Sequence, residues 1–168
     1  MVEIRTARLL LRAVRPSDLD DLHAVLSDRT AMRYWSSVPH ASIDDTRAWL
    51  DDMIAIPPAE GEDFVIEHAG RVIGKAGFYR FSEIGFILRP DHWGLGLAAE
   101  ALTPLIGRAF DVHGLERIVA DVDPRNVGSL NLLRRLNFAE NGFAERTWLI
   151  GEEWCDSIYL SLERPNPT

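Results

Sequence analysis

Apolar residues recur along this chain with two periods, and the switching between them predicts its elements. Ile4 to Val14 reads as a first strand, in which Arg5, Arg8 and Arg12 flank a Leu9-Leu10-Leu11 centre. Pro16-Ser17-Asp18 is a helix start, and Leu19, Leu22, Val25 and Leu26 follow at helical spacing. Arg29 to Pro39 has no clear period and reads as a loop with a helical turn. Ser42 with Asp45 forms a capping box ahead of Ala48, Trp49 and Met53, so a second helix ends near Pro57-Pro58. Phe64 to Glu67 and Arg71 to Tyr79, separated by Ala69-Gly70, read as a β-hairpin.

The stretch from Phe81 to Phe110 organises the rest. Ile84 to Leu88 is an apolar run long enough for a buried strand and too short for a helix. Arg89-Pro90-Asp91 ends it, because proline cannot donate to a sheet ladder. Gly94 and Gly96 allow a tight turn, and Leu102, Leu105, Ile106, Ala109 and Phe110 then mark the apolar face of a long helix, with a kink expected at Pro104. A glycine loop that opens a helix presents unpaired N–H groups and the positive end of the helix dipole, a place for a phosphate or pyrophosphate. The N–H groups of Leu95, Gly96, Leu97 and Ala98 are the expected cradle. Leu115 to Val122 is a further strand, parallel to the one at residue 84 because a long helix separates them. A short helix from Asn126 to Leu136, N-capped by Asn126, precedes an antiparallel pair at 138–148 and 154–162. The fold class predicted is mixed α/β (α+β): a mostly antiparallel twisted sheet with one parallel βαβ crossover and about four helices. Residues 1–163 form a single domain, and 164–168 are a tail.

Composition narrows the function. The chain has 168 residues and a net charge of −8, which argues against non-specific nucleic-acid binding. A single cysteine, Cys155, excludes an internal disulfide and fits a reducing compartment. The N-terminus lacks the apolar core of a signal peptide and no stretch approaches the ~20 apolar residues of a spanning helix, so a cytoplasmic protein is expected. The five histidines are scattered without ligand spacing, so no metal is expected.

Gly94-Leu95-Gly96-Leu97-Ala98-Ala99 formally fits the dinucleotide fingerprint G-x-G-x-x-A. In that fold the strand runs almost straight into the first glycine, whereas here Arg89 to Trp93 intervene. The candidate ribose-binding acids, Asp121 and Asp123, also fall too late. The absence of Gly-Lys-Ser/Thr excludes a nucleoside triphosphate P-loop.

Four spaced motifs carry a resemblance instead: Glu83-Ile84-Gly85-Phe86, Trp93 to Ala101, Asn126-Val127-Gly128-Ser129, and Asn137-Phe138. In combination they resemble the GNAT superfamily of acetyl-CoA-dependent N-acetyltransferases. The opening Thr6 to Arg12 and the closing Glu153-Trp154-Cys155-Asp156 are most similar to its RimJ/RimL-type branch of ribosomal-protein N-terminal acetyltransferases. The chain departs from the wider superfamily at two positions: Asp91 stands where Gln or Arg is frequent, and Leu133 where many members carry a tyrosine acid.

The resemblance implies a mechanism. Acetyl-CoA would be anchored by the loop from Trp93 to Ala98. Its pantetheine arm would run along Phe86, Ile87 and Leu88, where a backbone N–H would also meet the developing oxyanion. Asn126 and Ser129 would lie along pantetheine with Asn131 nearby, although Asn126 also serves as a plain N-cap. Glu83 matches the position of a base in several members and is otherwise a solvated strand-end glutamate. Asp156, a carboxylate in phase with Ile158, Leu160 and Leu162, is the rival for handling the amine or else pairs with a buried polar group. The thiolate would take its proton from Ser129 or from water. Tyr34 and Trp35 fall in the region of the acceptor wall and serve equally well as packing. The reaction expected is direct acetyl transfer in a ternary complex to a primary amine, either a protein N-terminus or a small molecule. The family also contains many dimers, so a homodimer is among the expectations. A non-catalytic acyl-CoA-binding module is the alternative, supported by the missing tyrosine.

Overall fold

The computed structural model describes residues 2–166. Eight strands form one sheet: β1 (Glu3–Arg5), β2 (Leu9–Arg12), β3 (Glu62–His68), β4 (Arg71–Arg80), β5 (Glu83–Leu88), β6 (Arg117–Val122), β7 (Ala139–Ile150) and β8 (Glu153–Glu163). Four α-helices complete the fold: α1 (Leu19–Leu26), α2 (Ile43–Ile54), α3 (Leu97–Asp111) and α4 (Val127–Arg135). The spatial order is β1-β2-β3-β4-β5-β6-β8-β7, and every neighbouring pair is antiparallel except β5 and β6. The expected class is therefore the observed one.

The expectation of a single strand from Ile4 to Val14 is corrected. The chain folds back at Thr6–Arg8, and β1 pairs antiparallel with β2. Thr6 makes the turn: its N–H donates to the Leu9 carbonyl (2.9 Å) and its hydroxyl accepts from the Leu9 N–H (3.0 Å). Such side-chain bonds compete locally with a continuous ladder. Arg12, read as an interruption of the strand, is buried because Asp18 holds it through two nitrogens at 2.9 Å and Glu67 accepts from its Nε at 2.8 Å. Those bonds fix the start of α1 against β2 and hold the guanidinium firmly protonated.

Strand alternation divides the core between the two faces of the sheet. Phe64 and Ile66 of β3 join Leu102, Leu105 and Ala109 of α3 on one face. Val65, between them, joins Leu22, Val25 and Leu26 of α1 and Leu50 and Met53 of α2 on the other. The expected capping box of α2 is present, with the Ser42 hydroxyl accepting from Asp45 N–H and Asp45 accepting from Ser42 N–H. Helix α3 continues through Pro104 to Asp111. At Gly74 of β4 a Cβ would collide with the Ile87 carbonyl of β5, so only glycine lets these two strands approach this closely.

The crossover β5–α3–β6 creates the feature that matters for function. Strands β5 and β6 pair at a single register position, Glu83 with Val119, and separate beyond it. Strands β8 and β7 continue the sheet from β6, so the C-terminal half of the sheet meets the N-terminal half at that one pair. Past Glu163, Arg164 still donates its N–H to Glu116 (2.8 Å). Pro167 and Thr168, the end of the expected tail, lie outside the described residues.

Candidate active site

A cleft of about 1520 Å³ opens where β5 and β6 part. One wall is β5, another is the start of α4, and the glycine loop with the start of α3 closes one end. The expected residues Glu83, Phe86, Ile87, Leu88, Trp93, Gly94, Gly96, Leu97, Ala98, Asn126, Ser129 and Asn131 all line it. At the other end lie Tyr34, Trp35 and Asp156. Leu95 is the exception: its side chain is 53% exposed outside the cleft, and its carbonyl accepts from Arg8.

The loop has the form an anion site requires. Gly94 and Gly96 both adopt the left-handed region, with φ of 71° and 76°. Gly96 is the N-cap of α3 and has no side chain to satisfy the first turn. Among the described residues, no backbone carbonyl accepts from the amides of Gly94 through Ala99, whereas Glu100 N–H already donates to Gly96 (3.1 Å). A row of open amides at the positive end of a 15-residue helix suits a pyrophosphate. Trp93 braces the approach, its indole N–H donating to the Leu88 carbonyl at 2.9 Å.

The β5 wall suits a second part of the ligand. Beyond Glu83, its edge toward β6 has no strand partner, so the backbone groups of alternate residues from Gly85 to Leu88, those not turned to β4, face the cleft unpaired by the sheet, except the Leu88 carbonyl, which accepts from Trp93. An extended amide chain such as pantetheine can satisfy them. Asn126 caps α4, its Oδ1 accepting from Ser129 N–H at 3.2 Å, so the N-cap role is real, and the residue also lines the cleft. Leu133, in the place of the tyrosine, is fully buried yet forms part of the lining.

Glu83 stands at the mouth of the split. Desolvation by the surrounding protein raises its pKa above the ordinary glutamate value, and repulsion from Asp121 adds to that. Asp121, which the sequence presents only as a candidate ribose ligand, lines the cleft beside Glu83. The pattern held a signal: on β6, residue 121 is in phase with 119, which pairs with Glu83, so both carboxylates fall on one face. Trp148 of β7 donates its indole N–H to Asp121 Oδ2 at 2.9 Å. Neither Glu83 nor Asp121 forms an ion pair with a described cation. Asp156 behaves differently, accepting from the Arg146 backbone N–H at 2.9 Å.

Beneath Trp35 lies a second feature that sequence reasoning did not find. Lys75 Nζ sits 2.7 Å from Asp63 Oδ2, both side chains almost fully buried, and 5.5 Å from the centre of the Trp35 ring. Burial pushes the Asp63 carboxyl up against the pull of Lys75. On the far lip, Arg33 and Arg125 both lie against the Tyr34 ring, and Arg125 is bound by Asp123 and Glu153. Cys155 is half-buried beside Arg125, and burial raises its thiol pKa, which disfavours a nucleophilic thiolate. Among the described residues, no cluster of three or more metal-ligating side chains occurs and no helix is long and apolar enough to cross a membrane.

Sequence comparison agrees with this geometry. Residues 8–139 match the model of the acetyltransferase (GNAT) domain. An uncharacterized N-acetyltransferase p20 of Bacillus licheniformis is 32% identical over 151 residues, covering 84% of this chain and 85% of that protein. The ribosomal protein uS5-alanine N-acetyltransferase of Escherichia coli is 28% identical over 183 residues, covering 99% and 93%. The crystal structure of spermidine N-acetyltransferase from Vibrio cholerae, in complex with CoA and spermine, has a TM-score of 0.81 at 24% identity, covering 94% and 96%. The chain belongs to the GNAT acetyltransferase family and is an acetyl-CoA-dependent N-acetyltransferase. Both a ribosomal-protein enzyme and a spermidine enzyme appear among its relatives, so the comparisons support the family and not one branch.

Proposed function

We propose that this enzyme acetylates a primary amine of cationic character by direct transfer in a ternary complex. The observation that carries the reading is the pair of carboxylates, Glu83 and Asp121, at the split of β5 and β6, neither of which forms an ion pair with a described residue. An incoming ammonium supplies the missing charge. Glu83, directly or through water, takes a proton from it. The free amine then attacks the thioester carbonyl carbon, and a β5 backbone N–H receives the oxyanion. Collapse breaks the carbon–sulfur bond, and the departing thiolate takes up the second nitrogen proton by way of Ser129 or water. The pantetheine arm is held along Phe86 to Leu88 and by Asn126, the pyrophosphate by Gly94 to Ala98, and the acceptor is flanked by Tyr34, Trp35 and Asp156. Within the family, the opening Thr6 to Arg12 motif favours the RimJ/RimL-like branch and a cytoplasmic acceptor, either a protein N-terminus or a small amine.

Release of free thiol from acetyl-CoA tests this with a panel of spermidine, spermine, an amino sugar and peptides with free N-termini. At least one amine should support turnover, and Glu83→Gln should lower kcat by about 10²-fold or more with that amine. The buried Leu133 in the tyrosine position favours one rival, a CoA-binding module without turnover. CoA binding with no thiol release from any amine would establish that rival instead.

A further inference from the structure

The opening motif Thr6-Ala7-Arg8 has no part in the chemistry above, yet it reaches the glycine loop from 87 residues away in sequence. Glu100, in the first turn of α3, is the hub. Its Oε1 accepts from the Thr6 hydroxyl (2.5 Å) and from the Arg8 backbone N–H (2.7 Å), and its Oε2 accepts from Arg8 Nε (2.7 Å). So held, Arg8 extends Nη1 to the carbonyl of Leu95 at 2.9 Å. That carbonyl lies between the two left-handed glycines.

The consequence follows from the loop's own composition. Gly94 and Gly96 give it the freedom to expose its amides, and the same freedom lets it leave that form. No side chain caps α3, and the helix backbone holds the loop only through the Glu100 N–H bond to the Gly96 carbonyl. Fixing the Leu95 carbonyl away from the cleft sets the peptide plane that follows it, and so points the Gly96 N–H. A Cβ at Gly96 would come within 3.6 Å of Arg8 Nη2, so the guanidinium also occupies the space behind that residue. Glu100 adds a negative charge at the helix N-terminus, and its hydrogen bonds, that from Thr6 first, keep its pKa low.

We propose that Thr6, Arg8 and Glu100 form a clamp that holds the glycine loop in its anion-binding form, which makes Arg8 a positioning residue for acetyl-CoA. The inference rests on the reading of this loop as the pyrophosphate site. It also explains the early turn between β1 and β2: the hairpin bends at Thr6–Arg8 so that one short segment can grip α3.

The test needs no acceptor amine. CoA is titrated calorimetrically into the wild-type protein, Arg8→Ala, Arg8→Lys and Glu100→Gln, and backbone hydrogen exchange is followed in the ligand-free proteins. Arg8→Ala should weaken CoA binding at least tenfold and speed exchange at Glu100, whose N–H is bonded to the Gly96 carbonyl, with exchange in β6 and β8 unchanged. Arg8→Lys, which keeps the charge but cannot span both Glu100 and Leu95, should fall between. Glu100→Gln should shift both readouts in the same direction as Arg8→Ala. CoA affinity within twofold of wild type in Arg8→Ala would overturn the clamp. So would a loss accompanied by faster exchange across the whole sheet, since that is general destabilisation. Failure of the wild-type protein to bind CoA would instead defeat the reading of the loop itself.

Discussion

Glu83 and Asp121 approach each other from strands that have just parted, and the pH dependence of the enzyme should carry the mark of that approach. Partial desolvation and the Asp121 charge both disfavour ionised Glu83, so its pKa lies above the usual ~4.3 of glutamate. As a base it works only when ionised, so kcat/KM should rise with pH along a limb displaced upward from the ordinary glutamate range. Asp121→Asn removes the neighbouring charge while keeping an acceptor for the Trp148 indole. In that variant the limb should move to lower pH, and KM for a cationic acceptor should rise. A pH–rate profile of wild type and Asp121→Asn with one amine decides it. A limb that stays in place in the variant would mean that Glu83 is not the group titrating.

At the scale of elements, the cleft wall at Tyr34 and Trp35 depends on how the segment between α1 and α2 is pinned. Trp35 rests on the core between the helices, and His40 ends the segment with its N–H donating to Leu26 (2.8 Å). The fully buried Thr46 of α2 joins two imidazoles, its hydroxyl lying 2.7 Å from His23 Nδ1 and 2.8 Å from His40 Nδ1. Burial first, with His23 nearby, lowers the His40 pKa, and Asp45 opposes this only in part. The unfolded chain, with its histidine near 6.5, therefore takes up this proton first as pH falls. Stability from neutral His40 is complete above about pH 6.5 and is lost progressively below it. His40→Asn keeps a hydrogen-bonding group for Thr46 and cannot titrate, so its Tm should fall less than that of wild type between pH 7.5 and 5.5. Equal slopes in the two proteins would remove His40 from the account.

The same elements show what was legible beforehand. The capping box of α2, the Ala69-Gly70 hairpin, the glycine loop and the N-cap of α4 are all set by neighbours in sequence, and each stands where the pattern placed it. The β1–β2 turn was not legible because Thr6 closes it on Leu9 with a hydroxyl that a glutamate 94 residues away also holds. Lys75 and Asp63 hid for a similar reason. Each reads as an ordinary strand charge, and only strand register and the face shared with Trp35 bury them together. Asp121 lay between, present in the phase of β6 but meaningful only once β6 is set beside Glu83.

For the whole molecule, the sheet is two halves joined at one β5–β6 register pair, with α3 spanning the crossover. A ligand seated in the split touches β5 on one side and the start of α4 on the other, so acetyl-CoA should act as a strut as well as a substrate. Ligand at about 100 times Kd adds roughly 2.7 kcal/mol to the folded state. For a domain of this size that should raise Tm by about 5–10 °C. The protection should be shared: amide exchange should slow at residues 85–88 on one lip and at 126–129 on the other, not only at the glycine loop. NADH, which also carries a pyrophosphate but no pantetheine, should give little of either effect, because the loop alone does not bridge the halves. Thermal scans and hydrogen exchange with acetyl-CoA, CoA and NADH make the comparison. Protection confined to residues 94–99 would mean that the ligand is held by its phosphates alone and the split is no groove for pantetheine. A larger shift with NADH than with CoA would reopen the dinucleotide reading that the spacing of the glycine loop argues against.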